Sequence, residues 1–178
     1  MRAHSERVTW FDGFVRDHHE AVLRYAVRRC ASRADAEDVV AETFLIAWRR
    51  PREAADGGLP WLYRTAANTL RNMARGQHRR TRLARRTIKN AETPEPTSRP
   101  DEGVITRAVV ATALDRLRPG DREVLTLSAW EGLTDAELGV ALDCTPGAAR
   151  VRLHRARARL RQALADLGIT TFDEVYTP

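Results

Sequence analysis

The stretch from Leu133 to Leu164 constrains the fold most, because it contains two helix starts in close succession. Thr134 and Glu137 have the spacing of a capping box, which indicates a short helix from Asp135 to about Leu142. Thr145 is a favourable N-cap, and the proline that follows it stands at the first helical position, where proline is well tolerated. The stretch therefore predicts a short helix, a tight turn and a longer helix, which together form a helix-turn-helix.

The longer helix is predicted to bury an apolar stripe and to expose a basic face. The stripe recurs at steps of three and four residues and comprises Ala149, Leu153, Ala156, Leu160, Ala163 and Leu167. The opposite face comprises Gly147, Arg150, Val151, His154, Arg155 and Ala158, flanked by Arg152, Arg157 and Arg159. From Thr145 to Leu164 there are six arginines and no acid. Small residues at the centre of a positive face favour close approach to DNA, although a solvated basic face is the alternative.

Individual roles follow from the chemistry of these side chains. We predict that Arg150 donates two hydrogen bonds to a guanine and that Val151 contacts a thymine methyl group. The amides around Gly147 suit a phosphate, because the N-terminus of a helix attracts anions. Arg155 is expected to position the helix, and Arg157 to contact the phosphate backbone.

Three helices are predicted in the N-terminal half. The first runs from Thr9 to about Arg29 and the second from Ala34 to Arg50. The second is predicted to bury Ala36, Val39, Val40, Phe44, Ala47 and Trp48 and to expose Asp38, Ala41, Glu42, Leu45 and Arg49. A leucine on an acidic face indicates a protein partner, but a single exposed leucine is also common on any protein surface.

A loop from Arg52 to Leu59 and a third helix starting at Pro60 are expected next. The core stripe of this helix comprises Leu62, Ala66, Leu70 and Met73. Its polar side comprises Arg64, Thr65, Asn68, Arg71, Asn72 and Arg75. Asparagine and arginine on one face can bind bases and phosphates, and a solvated helix face is the alternative.

A polar run with three prolines, from Asn90 to Gly103, predicts a linker without secondary structure. Beyond it we expect a helix from Val104 to Leu117, a Pro119-Gly120 turn, and a helix from Asp121 to Trp130. The prediction is an all-α fold of two small helical domains joined by a flexible linker, with the helix-turn-helix in the second. The predicted boundaries are 1–86, 87–103 for the linker, 104–170, and 171–178 for a tail.

Composition narrows the classes of function. The chain has 30 Lys and Arg against 24 Asp and Glu, a net charge of +6, and Lys89 is its only lysine. Two distant cysteines and scattered histidines predict no disulfide framework, metal site or cofactor. The absence of a long apolar run predicts a soluble cytoplasmic protein without membrane insertion. An enzyme such as a nuclease would need a placed nucleophile or a cluster of carboxylates to hold a metal. The acids at 35, 37 and 38 lie at one helix start and point in different directions, so we expect no enzymatic activity.

Four segments together resemble the extracytoplasmic-function (ECF) sigma factors of bacterial RNA polymerase. The segment 35–48 is similar to the polymerase-binding helix of region 2, and 61–68 to its promoter-opening helix. The segment 117–125 and the helix-turn-helix are similar to region 4. Gly139 stands where isoleucine is commoner in the family, and it is expected to weaken its helix by up to ~1 kcal/mol.

The resemblance implies three sites. The clamp helices of the largest polymerase subunit would bind Asp38, Glu42, Leu45 and Arg49. A flipped base of the minus-ten element would meet the loop 52–59 and a face with Arg64, Asn68, Arg71, Asn72 and Arg75. The minus-thirty-five duplex would meet Gly147, Arg150, Val151, His154, Arg155 and Arg157. Core polymerase and promoter DNA are thus the implied partners, with an anti-sigma factor as a further candidate. The runner-up is a helix-turn-helix regulator outside the polymerase, which would usually need to dimerise.

Overall fold

The computed structural model describes residues 2–84 and 102–169, with side chains for residues 5–75 and 108–169. These residues contain no strand, which confirms the predicted all-α class. The helices are α1 (Arg2–Val27), α2 (Arg33–Arg49), α3 (Pro51–Ala84), α4 (Glu102–Asp115), α5 (Pro119–Ala129), α6 (Asp135–Ala141) and α7 (Pro146–Ala165). The chain divides into two compact units, Met1–Asn90 and Ala91–Pro178. The predicted tail and most of the predicted linker lie outside the described residues, but positions 102 and 103, which we assigned to the linker, are helical.

Unit 1 is a bundle in which α1, α2 and α3 pack against one another. Its fully buried side chains include Val22 and Tyr25 of α1, Val39 of α2 and Leu62 of α3. The Tyr25 ring lies 5.0 Å from that of Tyr63, which ties α1 to α3. Burial of large apolar and aromatic side chains on all three helices is the main contribution to the stability of such a bundle.

The connection between α2 and the C-terminal part of α3 contains a sharp bend between two helical segments. We predicted a loop from residue 52 to 59, and this prediction is wrong, because the chain is helical from Pro51 onward. The bend is at Gly58, whose φ of 52° and ψ of −143° are conformations that favour glycine. A Cβ atom on Gly57 would lie 2.5 Å from Cβ of Trp61, so this position also requires glycine. Trp61 itself is buried, and its packing sets the direction in which α3 continues.

Unit 2 is organised around α7, which contacts α4, α5 and α6. The predicted stripe is confirmed, since Ala149, Leu153, Ala156 and Ala163 are buried and Leu160 and Leu167 are partly buried. The C-terminal half of α7 packs against Ala113 and its neighbours on α4. The expected Pro119-Gly120 turn is instead the first turn of α5, because proline suits the first helical position.

The helix-turn-helix has the predicted caps. The Thr134 hydroxyl accepts from the Glu137 amide, and the Glu137 carboxylate accepts from the Thr134 amide at 2.8 Å, which completes the capping box. At the end of α6 the Cys144 amide donates to the Gly139 carbonyl at 2.9 Å, and Asp143 has a positive φ of 53°. These are the features of a Schellman motif.

Gly139 has a role that the sequence analysis did not recognise. A Cβ atom there would lie 2.8 Å from the carbonyl oxygen of Cys144, in the turn before α7. We expected this glycine only to weaken its helix, but it permits the close approach of α6 to the turn. The tight turn therefore depends on the absence of a side chain at this position.

Candidate functional site

The first candidate surface is the recognition face of α7, which we define as Gly147, Arg150, Val151, His154, Arg155 and Arg157. All six residues are exposed, while the opposite side of the same helix is buried in unit 2. Val151 is 48% exposed, which leaves it available for an apolar contact. The structure thus brings together on one surface every residue that we predicted for duplex DNA.

The start of α7 is fixed by its cap. The Thr145 hydroxyl accepts from the Ala148 amide at 3.2 Å, and Pro146 occupies the first helical position. Gly147, in the first turn, is exposed, and its surroundings within 4 Å are open. Since the first amides of a helix have no acceptor within the helix, this end of α7 is suited to an anion.

Two arginines of α7 form ion pairs that the sequence analysis missed. Nε of Arg150 donates to a carboxylate oxygen of Asp135 in α6 at 2.7 Å. Nη1 of Arg159 contacts both carboxylate oxygens of Asp121 in α5 at 2.7 Å. Arg159, which we placed on the flank of the basic face, thus joins α7 to α5. The partners lie far away along the chain, and no spacing in the sequence indicates them.

The second candidate surface is the polar face of α3, which comprises Arg64, Asn68, Arg71, Asn72 and Arg75. Arg64 is partly buried, and the other four are exposed. Nε of Arg71 donates to the Ala67 carbonyl and Nε of Arg75 to the Arg71 carbonyl. Nη2 of Arg75 also donates to the Asn72 side chain at 2.8 Å. These bonds hold both arginines along the helix.

One residue predicted for that polar face belongs to the core. Thr65 is only 6% exposed, and its hydroxyl donates to the Trp61 carbonyl at 2.9 Å. A threonine can be buried in a helix because the carbonyl four residues earlier satisfies its hydroxyl. Leu70 and Met73, which we predicted to belong to the core, are only partly buried.

The third candidate surface is the acidic face of α2, which comprises Asp38, Glu42, Leu45 and Arg49. All four residues are exposed, and Leu45 is 40% exposed. The opposite side of α2 is buried in unit 1 and includes Thr43, whose hydroxyl donates to the Val39 carbonyl. The face therefore presents an apolar side chain among charged ones.

Trp48, which we predicted to be buried, is only partly buried, and both Phe11 and Arg7 of α1 pack on its ring. The guanidinium of Arg7 lies 4.2 Å from the centroid of the Trp48 ring, and it also donates to the Trp48 carbonyl. A cation at this position interacts favourably with both the ring and the negative end of the helix. Arg7 thus links α1 to the C-terminal end of α2, beside the acidic face.

The described residues carry neither a cluster of three or more His, Cys, Asp and Glu placed to hold a metal ion nor a helix with the length and apolar character needed to cross a bilayer.

Comparison with known families divides the chain in the same way as its two units. Residues 14–80 match the family model of sigma-70 region 2. Residues 107–160 match the model of sigma-70 region 4. A regulator outside the polymerase would need only a helix-turn-helix, so the region 2 match distinguishes this chain from the runner-up.

Curated relatives match along most of the chain. The chain is 37% identical over 160 residues to the ECF RNA polymerase sigma factor SigL of Mycobacterium tuberculosis, covering 86% of this chain and 89% of SigL. It is 33% identical over 159 residues to the RNA polymerase sigma factor CarQ of Myxococcus xanthus, covering 88% of this chain and 90% of CarQ.

Solved structures show the same fold. CnrH, solved in complex with the cytosolic domain of CnrY, is 28% identical with a TM-score of 0.57, and the match covers 89% of both chains. The sigma factor RpoE of Bartonella quintana, in complex with the anti-sigma factor NepR, has a TM-score of 0.56 at 22% identity, covering 82% of this chain and 91% of that one.

Proposed function

The chain belongs to the extracytoplasmic-function sigma factors of bacterial RNA polymerase, and we propose that three of its surfaces divide the work of promoter-specific initiation. As a sigma factor it binds core polymerase and promoter DNA. The proposal concerns which residues do so. Unit 1 would supply the contacts to polymerase and to the minus-ten element, and unit 2 those to the minus-thirty-five element.

We assign the duplex minus-thirty-five element to the recognition face. Arg150 and His154 are one helical turn apart, with Val151 between them, and all three are exposed. Arginine can donate two hydrogen bonds to O6 and N7 of guanine, and valine can contact the methyl group of thymine. Gly147 at the capped start of α7 suits a backbone phosphate, while Arg155 and Arg157 suit phosphates beside the groove.

We assign unpaired bases of the minus-ten element to the polar face of α3. The amide of Asn68 is exposed and has no hydrogen-bond partner among the described residues, so it can both donate to and accept from a base edge. Arg71 and Arg75 use Nε for α3 carbonyls. Their exposed guanidinium groups can therefore hold phosphates while the helix itself keeps the long side chains in place.

We assign the core polymerase to the acidic face of α2. Association would bury Leu45 at the centre and leave Asp38, Glu42 and Arg49 to pair with charges around it. Interfaces commonly combine a buried apolar core with a polar rim, and the arrangement on α2 fits this pattern. The side of α2 opposite this face is buried in unit 1, which leaves the acidic face turned toward a partner.

Further properties follow from the same proposal. The chain would act as a non-catalytic initiation factor in the cytoplasm, where the polymerase works. CnrH was solved in a complex with the cytosolic domain of CnrY, and the structural likeness to CnrH supports a further protein partner for this chain, for which an anti-sigma factor is the candidate. Such a partner would act by covering surfaces that the polymerase needs.

The observation that carries the proposal is the recognition face, whose six residues are all exposed on the side of α7 opposite its buried stripe. The test uses holoenzyme on promoters that differ by single base pairs, at two salt concentrations. Arg150→Ala should lower affinity by about 1–3 kcal/mol and relax the preference at one or two base pairs. Arg157→Ala should weaken binding to all variants alike and flatten the salt dependence. An equal loss for every variant with Arg150→Ala would contradict the assignment.

A further inference from the structure

The ion pair between Arg150 and Asp135 joins the two helices of the helix-turn-helix across their solvent-facing side. Nε of Arg150 donates to Asp135 at 2.7 Å, from α7 to the first residue of α6. The Arg150 side chain is 72% exposed and that of Asp135 is 35% exposed. By contrast, Arg152, Arg155 and Arg157 form no ion pair within the part of the chain that the structure describes. The pair therefore distinguishes Arg150 from its neighbouring arginines.

The geometry of the bond matters because it uses one particular nitrogen. A guanidinium group has five N–H donors: four on the two terminal nitrogens and one on Nε. Asp135 occupies this donor, so the four N–H groups on the two terminal nitrogens remain available. A guanine requires two of these in a fork. The contact to Asp135 thus restricts the guanidinium without using the donors that a base would need.

Asp135 is itself held in place. It follows Thr134, whose hydroxyl and amide are both engaged in the capping box with Glu137. An acid in the first turn of a helix is also favoured by the helix dipole. Since Asp135 belongs to α6 and Arg150 to α7, their contact favours one rotamer of Arg150 in the DNA-free protein. An arginine that is already ordered loses less rotamer freedom when it binds a base.

We propose that Asp135 is a positioning residue that determines base specificity through Arg150. Its carboxylate holds the guanidinium in the orientation for a bidentate contact with a guanine. It also disfavours the alternative in which Arg150 swings aside to a phosphate, because that movement would break an ion pair and leave the carboxylate near the negatively charged backbone. The inference rests on the proposed role of Arg150 in reading the minus-thirty-five element.

The test measures base preference rather than affinity alone. Full-length holoenzyme is equilibrated with a pool of duplexes randomised at the minus-thirty-five element, and the bound fraction is sequenced. Arg150→Ala identifies the base pair that Arg150 reads, where the preference should fall by about tenfold, which corresponds to ~1.4 kcal/mol within the range for bidentate contacts. Asp135→Ala should reduce the preference at that same base pair, while affinity for the pool as a whole is kept or increased. The double variant should lose no more preference than Arg150→Ala alone.

Two further variants test whether the effect of Asp135→Ala comes from the lost contact with Arg150 or only from the change in net charge. Asp135→Asn keeps an acceptor for Nε without the charge, so it should retain more preference than Asp135→Ala. Asp143→Asn removes the same charge from the turn of the same motif and should leave the preference unchanged; asparagine tolerates the positive φ at this position. Circular dichroism of each variant reports whether the overall helix content is kept.

The outcomes distinguish this inference from the proposed function. If Arg150→Ala relaxes one base pair and Asp135→Ala leaves that base pair unaffected, the positioning role of Asp135 is wrong and the role of Arg150 stands. A sharper preference after Asp135→Ala would also overturn the inference, because it would show that the ion pair withholds Arg150 from DNA. If Arg150→Ala changes no base preference, both the inference and the assignment of Arg150 fail.

Discussion

The two helices assigned to promoter DNA obtain their positions in opposite ways. α7 starts at a cap within its own sequence, with Thr145 bonded to an amide of the first turn and Pro146 after it. α3 instead passes through a bend at Gly58 before it reaches its polar face. Its direction after the bend depends on buried Trp61 and on the lack of a side chain at Gly57. Local chemistry thus places α7, the helix assigned to duplex DNA, whereas tertiary packing places the part of α3 assigned to the opened strand.

The largest effect on stability is expected at Gly57. A Cβ atom would approach Trp61 to 2.5 Å, and the neighbours are part of the core of unit 1, so the backbone or the ring must shift. We expect Gly57→Ala to lower the free energy of unfolding of unit 1 by about 1–3 kcal/mol, as overpacking does. Denaturant unfolding measures this change. Gly13→Ala is the matched control, because its Cβ would meet nothing within 4 Å and alanine favours a helix. Equal effects of both substitutions would contradict the role of the bend.

Asn68→Ala sharpens the comparison at the level of function. If α3 binds unpaired bases and α7 binds duplex, the substitution should lower the yield of open complexes by about fivefold, equivalent to a lost hydrogen bond of ~1 kcal/mol. Binding of the closed promoter should change little. Permanganate reactivity of unpaired thymines and a gel-shift assay measure the two quantities.

Asn72→Ala provides the control for this prediction on the same face. Its side-chain oxygen already accepts from Arg75, so the loss should act only through the arginine and be smaller. An equal loss of closed and open complexes with Asn68→Ala would indicate a general DNA contact and contradict the assignment.

The contrast between the helices also explains what the sequence could predict. The caps at Thr134 and Thr145 and the stripe of α7 were predicted correctly, because each depends on residues within one or two turns of one another. The segment 52–59 was wrongly predicted as a loop, because Gly57 and Gly58 resemble turn residues and the sequence does not show that Trp61 packs against Gly57. The burial of Thr65 was missed for a related reason, since a polar side chain in a helix gives no sign that a carbonyl satisfies it.

Contacts between residues that are far apart in the chain could not be predicted from the sequence. Arg159 resembles any other basic residue on the side of α7, and only the packing of α5 brings Asp121 to it. The same is true of Arg150 and Asp135, which come together because the turn between α6 and α7 is tight. Sequence periodicity predicted which side of α7 is exposed, but it does not show which exposed arginines already have a partner.

Thr145→Ala tests the dependence of α7 on its local cap. Loss of the bond to the Ala148 amide should destabilise unit 2 by ~1 kcal/mol and leave unit 1 unchanged. Hydrogen exchange of the amides in the first turn of α7 follows the effect directly. Thr112→Ala is the control, because it removes an exposed threonine within α4 whose hydroxyl bonds only to its own helix. Destabilisation of equal size by Thr112→Ala would show that the cap is not the cause.

The smallest effect is expected from the pH dependence of the capping box. The amide and hydroxyl of Thr134 donate to Glu137 and lower the pKa of its carboxyl. A carboxyl group whose pKa is lowered in the folded state stabilises that state fully at pH values above its pKa in the unfolded chain, which is about 4.3 for glutamate. This stabilisation is lost as the pH falls through the pKa in the folded state. The contribution should be a few tenths of a kcal/mol, because water screens this partly exposed carboxylate.

Glu137→Gln isolates this contribution, since the amide oxygen can still accept a bond but does not titrate. The difference in unfolding free energy between the wild-type chain and the variant should shrink as the solution is acidified below about pH 4.3. A difference that stays constant over this range would show that Glu137 contributes no pH-dependent stability.

The central claim is that separate surfaces of this chain bind polymerase and promoter DNA. The most direct test is reconstituted transcription with core polymerase, this chain and a set of promoter templates. Asp38→Arg combined with Leu45→Arg should abolish both transcripts from every template and co-purification with core, with the helix content unchanged. Glu20→Arg with Val27→Arg, which changes an exposed acid and an exposed apolar residue on α1, should leave both intact. Arg150→Ala should instead change the ratio of transcripts between templates. Normal association and transcription by the α2 variant would contradict the account.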